Sequence, residues 1–451
     1  MKLLVIGSGG REHALVWKLA RSPRVSRLWC LPGNAGIELE RLTSNGHPVD
    51  CVKIGAEDLT GQLRFAQDQR PDLTVVGPDN PLALGVVDMF QREGLRIWGP
   101  NQGAARFESS KAFAQQFMEN HGIPTARSGV FDDPVAASRF AATLGGRCAV
   151  KADGLALGKG VLLCRDMAQA DAAIEGMLVK HSFGAAGSRV VIQEMLAGME
   201  ISLHAICDGH RALLFPTSQD HKHALDGDLG PNTGGMGAFS PTPFLSEPEL
   251  EAVRRVVIDP WLRGCLKEGI DYRGILYPGL MLTATGPRVL EFNSRFGDPE
   301  TEVYLPRLEN DLVDVLEASV AGQLDEVELR WSPLDCVCVV MASEGYPGQY
   351  AKGVRISGLA EAGRIPDVKV FHAGTARADD QIVTNGGRVL AVTAWGRGLE
   401  DARATAYEAV ARIKFDGARF RRDIAAKALG RCQTGCGSVG SGLQTECERE
   451  P

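Results

Sequence analysis

Val289-Leu290-Glu291-Phe292-Asn293-Ser294-Arg295-Phe296-Gly297-Asp298-Pro299-Glu300 reads as a strand that runs into a Gly/Pro turn. Side chains alternate faces along a strand, so Glu291 and Asn293 are expected on one face and Leu290 and Phe292 on the other. Two hard oxygen ligands on one face, followed by Arg295 and Asp298 in the turn, suit a Mg²⁺-phosphate site. Mg²⁺ is held by one or two carboxylates while substrate phosphates and waters complete its shell. An ordinary half-buried strand shows the same alternation, so the assignment leans on other tracts that also ask for phosphate.

Outward from this strand, the 451 residues suffice for two to four domains, each with its own core. Residues 3–6, 27–31, 73–76 and 95–98 read as short apolar strands. Helical spacing at 13–20, 57–69 and 82–92 separates them, which predicts a parallel α/β domain. From about 148 to 215, strands rich in Val, Ile and Leu are joined by Gly-rich turns. A polar Gly-rich tract spans 218–236, followed by a helix at 249–267 and strands at 274–283 and 288–293. A smaller α+β unit begins after residue 331, with strands at 336–342 and 388–393 and a helix at 400–414.

Charged residues make up 23% of the chain and the net charge is −7, so there is no electrostatic footprint for nucleic acid. No apolar run approaches the ~20 residues of a membrane span. The first apolar run is too short for a signal peptide, and a cytoplasmic protein is expected. Eleven cysteines, odd in number and scattered, suit a reducing compartment. Cys432, Cys436 and Cys447 lack a fourth ligand at zinc-site spacing. Residues 431–451 read as a disordered tail.

Three further motifs bear on phosphate. Gly7-Ser8-Gly9-Gly10-Arg11-Glu12-His13 follows a strand and opens a helix, whose N-terminus offers N–H groups to an anion. The third glycine of a dinucleotide fingerprint falls on Glu12, and no ribose-binding acid ends the second strand, which argues against NAD. Lys151-Ala152-Asp153-Gly154-Leu155-Ala156-Leu157-Gly158-Lys159-Gly160 lies between two strands and reads as a hairpin flap. Its amides can fold over phosphates, with Lys159 as a point charge and Lys151 in reach. Pro231-Asn232-Thr233-Gly234-Gly235-Met236-Gly237 is a second permissive loop. Asp220-His221-Lys222-His223 before it could offer two histidines to a metal, but reads better as a polar substrate loop.

Together these tracts, with Arg295-Phe296-Gly297-Asp298-Pro299-Glu300-Thr301-Glu302, resemble the phosphoribosylamine–glycine ligase (glycinamide ribonucleotide synthetase) family of the ATP-grasp superfamily. Pro32-Gly33-Asn34-Ala35-Gly36, Ser110-Lys111-Ala112-Phe113, Phe371-His372-Ala373-Gly374-Thr375 and Thr384-Asn385-Gly386-Gly387-Arg388 extend the likeness to about residue 430. The resemblance implies an N-terminal Rossmann-like domain (1–108) and an ATP-grasp domain (109–330) with an ATP-binding subdomain at about 126–196. A C-terminal substrate-cleft domain (331–430) completes it. It also implies the reaction of ATP, glycine and 5-phosphoribosylamine to glycinamide ribonucleotide, ADP and phosphate in purine synthesis.

Position by position, the resemblance puts Lys111, Lys151, Lys159 and the flap glycines Gly154, Gly158 and Gly160 on the ATP phosphates. It puts Gln193-Glu194-Met195-Leu196 on adenine and Glu200 on the ribose. Glu291 and Asn293 would hold Mg²⁺ or Mn²⁺, and Arg295 and Lys159 would serve phosphoryl transfer. Gly9, Gly10, Asp220, Lys222, Asn232, Thr233, Gly234, Gly235, Arg295 and Asp298 fall on the substrate side. A monomer is expected, with transient contact to the enzyme that makes phosphoribosylamine. Leu157, His223, Leu229, Asp79 and Gln193 depart from the family pattern but leave the metal ligands and phosphate lysines intact.

The residue types agree with that chemistry. A carboxylate becomes electrophilic once phosphorylated, so glycine would pass through glycyl phosphate. Phosphoryl transfer needs positioning and charge neutralisation more than a nucleophilic side chain. The nearest rival is an ATP-grasp ligase for formate or bicarbonate; an NAD oxidoreductase and an inactive binding protein are the others.

Overall fold

The computed structural model describes residues 1–156 and 160–433. The N-terminal sheet has five parallel strands in the order Asp50–Cys51, Arg27–Pro32, Lys2–Gly7, Leu73–Val76, Ile97–Trp98. Leu3, Leu4, Val5 and Ile6 are all fully buried, the continuous apolar run of a strand covered on both faces. The order in which strands are added reverses between Lys2–Gly7 and Leu73–Val76, and ligands of open parallel sheets bind outside such a point. The expected helix at 82–92 is broken into Asp79–Ala83 and Val86–Arg92. Gly85 stands between them with φ +86°, a left-handed turn that no continuing helix can hold.

Two antiparallel sheets form the middle of the molecule. One runs Ser128–Phe131, Val190–Glu194, Cys148–Ala152, Val161–Cys164. Cys148 pairs with Cys164 and Lys151 with Val161, so the 148–164 segment is the expected hairpin. The other is built on the long strand Arg273–Thr283, which pairs with Met199–Ser202, Ala205–Asp208 and Gly286–Asn293. The register slips at Gly279/Leu280, opposite Leu290. This bulge alters the expected alternation. Val289 and Phe292 enter the apolar core, while Leu290 joins Glu291 and Asn293 along the cavity.

A third antiparallel sheet reaches across residue 331. Its order is Gln219–Asp220, Gly237–Ser240, Asp335–Ala342, Arg388–Gly396, Val368–His372, with Gly237 paired to Val339. The polar loop at 221–236 is thus an excursion from the edge of the C-terminal sheet. Helix Leu399–Arg412 packs on that sheet through Ala402, Ala406 and Ala409. The last described helix, Ala426–Gln433, extends past the expected boundary at 430; residues 434–451 of the expected tail lie outside the described residues. The molecule is a mixed α/β fold with a parallel-sheet N-terminal part, two central antiparallel sheets and a small C-terminal α+β part.

Candidate active site

A cavity of about 530 Å³ opens between the two central sheets. Ala149, Lys151, Val161, Val191 and Gln193 line it from one sheet; Glu200, Tyr277, Met281, Glu291 and Asn293 line it from the other. Lys111 enters from helix Lys111–Asn120, whose N-cap Ser110 accepts from the Phe113 N–H. Asp153 ties this helix to the base of the hairpin. Its carboxylate accepts from Ser110 Oγ at 3.0 Å, the Ala112 N–H at 2.7 Å and Arg189 Nε at 2.8 Å.

Four cations surround one carboxylate at the centre. Burial pushes the Glu291 carboxyl upward, yet Lys151, Lys222, Lys111 and Arg295 outweigh it and hold it at about 2. Burial brings Lys151 down to about 8 against the pull of Glu291, with Lys111 and Lys222 adding to the fall. Its Nζ donates to the Leu290 carbonyl at 3.0 Å. Lys222 is ion-paired with Glu200, which with Glu291 and Asp220 keeps it charged despite burial. With Lys222 paired to Glu200 and Arg295 to Glu108, Glu291 still faces both Lys111 and Lys151, an excess of positive charge that a phosphate can meet.

Arg295 is held from behind by Glu108, with Nη2 2.9 Å from Oε1. Asn293 gives Nδ2 to the Tyr277 carbonyl at 3.3 Å, while its Oδ1 lies 3.4 Å from Arg295 Nη2. An ionised carboxylate and an amide oxygen fit a hard divalent cation that takes the rest of its shell from phosphate and water.

The far end of the cavity is polar and built at the edge of the C-terminal sheet. Asp220, Lys222, Asn232, Thr233, Gly234 and Asp298 line it together with Glu300. Thr233 donates through N–H and Oγ1 to the Lys222 carbonyl, both at 2.8 Å. Arg388 reaches in from the C-terminal part, binding the Gly234 carbonyl at 2.5 Å and Asp298 Oδ1 at 3.1 Å. Glu300 accepts from Ser202 Oγ at 2.9 Å and Tyr277 OH at 2.5 Å. Asp220 has its pKa raised by burial and by Glu300, with Lys222 and Arg388 opposing.

Several expected residues sit elsewhere. Gly154 lies outside the cavity wall, packed so that a Cβ would come within 2.6 Å of Ala186 Cβ. Gly158 and Lys159 lie outside the described residues; Gly160 lines the cavity. Gly9 and Gly10 lie against the 298–302 turn: a Cβ on Gly10 would be 2.5 Å from Glu302 Oε1, and one on Gly9 3.4 Å from Asp298 Oδ2. Two amides of that turn are taken, since Ser8 N–H and Gly9 N–H donate to Glu12 Oε2 at 3.1 and 2.6 Å. Gly235 contacts Asp220 and Pro299 rather than the cavity. Glu194 and Leu196 line the cavity as expected, and Glu194 Oε1 accepts from the Arg127 N–H at 2.8 Å. The two histidines do not converge: His221 is buried and bound to Gly237 O and the Ala425 N–H, whereas His223 Nδ1 meets Gly230 O.

The sequence reading missed Glu108, Asp153, Arg388 and Glu300 as site-builders. Arg388 stood in a quoted motif with no role attached. The signal for Asp153 was its place two residues beyond Lys151 at the mouth of the hairpin.

Three family models cover nearly all of the chain: the phosphoribosylglycinamide synthetase N domain over 1–108, its ATP-grasp (A) domain over 109–301 and its C domain over 336–427. The chain belongs to the phosphoribosylglycinamide synthetase family. The phosphoribosylamine–glycine ligase of Vibrio cholerae is 49% identical over 437 residues, spanning 96% of this chain and all of that protein. Its counterpart in Pseudomonas aeruginosa is 48% identical over 432 residues, spanning 96% and 99%. The crystal structure of the Thermotoga maritima phosphoribosylamine–glycine ligase superposes with a TM-score of 0.78 at 34% identity, covering 94% of this chain and all of that one. Biotin carboxylase from Campylobacter jejuni shares the fold at 13% identity, with a TM-score of 0.72 over 95% of this synthetase-family chain and 98% of its own.

Proposed function

We propose that this chain joins glycine to 5-phosphoribosylamine in an ATP-driven step of purine biosynthesis, through glycyl phosphate, releasing glycinamide ribonucleotide, ADP and phosphate. The observation that carries it is the charge cluster of Lys111, Lys151, Lys222 and Arg295 around Glu291, which opens onto a separate polar end bounded by Asp220, Thr233 and Asp298. That layout suits a polyphosphate at the centre with a phosphorylated amine beyond it.

In this reading, adenine lies against Glu194 and Leu196 and the ribose meets Glu200, which would exchange its Lys222 partner. Lys111, Lys151, Lys159, Gly158 and Gly160 serve the phosphates, with Gly154 shaping the hairpin base. Arg295 steadies the transferring phosphoryl group, and closure of the hairpin keeps the acyl phosphate from water. Glu291 and Asn293 would hold Mg²⁺ or Mn²⁺, whose chemistry is to neutralise phosphate charge. The backbone of Gly9 and Gly10, the 232–235 loop, Lys222 and Asp298 bound the amine substrate. The reading keeps a cytoplasmic monomer and brief contact with the enzyme supplying phosphoribosylamine.

The test is product identity. With ¹³C-glycine, ATP and enzymatically generated phosphoribosylamine, mass spectrometry should find one amide that carries both the label and the ribose phosphate. ADP formation without that amide would contradict the reading.

A further inference from the structure

Asp220 ends an edge strand of the C-terminal sheet, paired with Ala238, and its side chain lines the polar end of the cavity. Its carboxylate differs from its neighbours in how it is held. Asp298 is fastened by Arg388, and Glu300 by Ser202 and Tyr277. Asp220 Oδ1 is buried and has no hydrogen-bond partner. Buried polar atoms are nearly always satisfied, so an orphaned oxygen at a site wall calls for an explanation in the bound state.

The wall around it is built tightly. Gly235 has φ +111°, and a Cβ there would fall 2.6 Å from Asp220 Oδ1 and 2.4 Å from Pro299 Cδ. Only glycine lets the loop close this far over Oδ1, which keeps water from that oxygen while the residue stays partly exposed on the cavity wall. The charged groups facing it are Glu300 from the 297–302 turn, Lys222 and Glu200 on the loop and strand beside it, and Arg388 from the C-terminal sheet.

We propose that Asp220 is the general base that takes the proton of the attacking amine; this rests on the ligase reading above. The amine lone pair attacks the carbonyl carbon of glycyl phosphate and the C–N bond forms. The nitrogen, now positively charged, passes a proton to Asp220. The C–O bond to the phosphate breaks and its electron pair leaves with the phosphate. The proton is released to solvent as the product departs. Burial and Glu300 make this carboxylate a stronger base than a surface aspartate, which suits the task.

The experiment compares wild type with Asp220→Asn and Asp220→Ser, each checked by thermal melting. With all three substrates present, amide formation should fall on the order of 10²–10³-fold, the usual worth of a general base. Scrambling of ¹⁸O from the β–γ bridge of ATP to the β non-bridge position should persist, because glycyl phosphate still forms and reverts. The ascending limb in pH of kcat/KM for phosphoribosylamine that belongs to the base should disappear, leaving that of the amine. Scrambling lost together with amide formation in a folded variant, or amide formation at the wild-type rate, would overturn the proposal. Wild-type enzyme that makes no amide from glycine would strike the ligase reading instead.

Discussion

Arg295 and Glu108 form a half-buried ion pair, Nη2 to Oε1 at 2.9 Å, and the other oxygen of Glu108 accepts the Ser294 N–H at 2.8 Å. One carboxylate therefore fixes both the guanidinium and the backbone just before it. Glu108 lies on helix Gln102–Ser109, and Phe107 beside it packs edge-on against Phe292 at 5.8 Å. The apolar contact sets the helix against the strand, and the ion pair then aims Arg295 into the cavity.

Glu108→Gln should keep the bond to Ser294 and lose the charge that aims Arg295. We expect kcat to fall by roughly 10²-fold, as for a misplacement of about 1 Å, with little change in KM for ATP. Glu108→Asp should recover part of it. A variant that melts earlier but turns over normally would make Glu108 a stability residue only.

Asp153 binds the N-terminus of helix Lys111–Asn120 and Arg189 with one carboxylate. Asp153→Ala strands those donors, which should cost about 1–3 kcal/mol. Lys111 and the hairpin then lose their common anchor, so KM for ATP should rise. Calorimetry and steady-state kinetics on the same preparation check both effects.

Glu40 joins the first domain to the last. Its Oε1 accepts from His13 Nε2 at 3.0 Å and is paired with Lys369. His13 Nδ1 accepts the His372 N–H at 2.7 Å, and burial lowers the pKa of the ring. Burial works against a charged Glu40, but His13 and Lys369 bring its pKa from 4.5 to about 2. A depressed carboxyl stabilises the fold above its unfolded pKa and loses that contribution as pH falls through the folded one. Wild type should therefore exceed Glu40→Gln by about 1–3 kcal/mol at pH 7, and the gap should close between pH 4.5 and 2. Urea unfolding across that range measures it.

Glu291→Gln should abolish most turnover and raise the metal concentration that the remaining turnover needs. The polar face of an ordinary half-buried strand would carry little weight for stability. In the structure it is the counter-charge of four cations. Its removal should thus also destabilise the empty protein, on the order of 1–2 kcal/mol. Normal turnover at saturating ATP would sink the metal assignment.

How much of this is legible in the sequence follows from which interactions are local. Leu73–Val76 can be read to the residue because a strand buried on both faces is one unbroken apolar run. The hairpin at 148–164 is likewise a local pairing. Helix Pro134–Thr143 is readable too, from Asp133 capping and Pro134 at its first position. The bulge at Leu290 is invisible, since it depends on the register of a partner strand. The same holds for the sheet that joins Gly237–Ser240 to Asp335–Ala342, and for Glu108, whose partner is remote in sequence. Motif residues announce themselves; the residues that aim them do not.

The measurement that bears most directly on the central claim is ADP release with Mg²⁺ and ATP, omitting glycine and phosphoribosylamine in turn. Formate and bicarbonate are then offered in place of glycine. The account predicts full ADP release only with both glycine and phosphoribosylamine, and none above background with the substitute carboxylates. ADP release that is indifferent to glycine, or equally supported by bicarbonate, would contradict it.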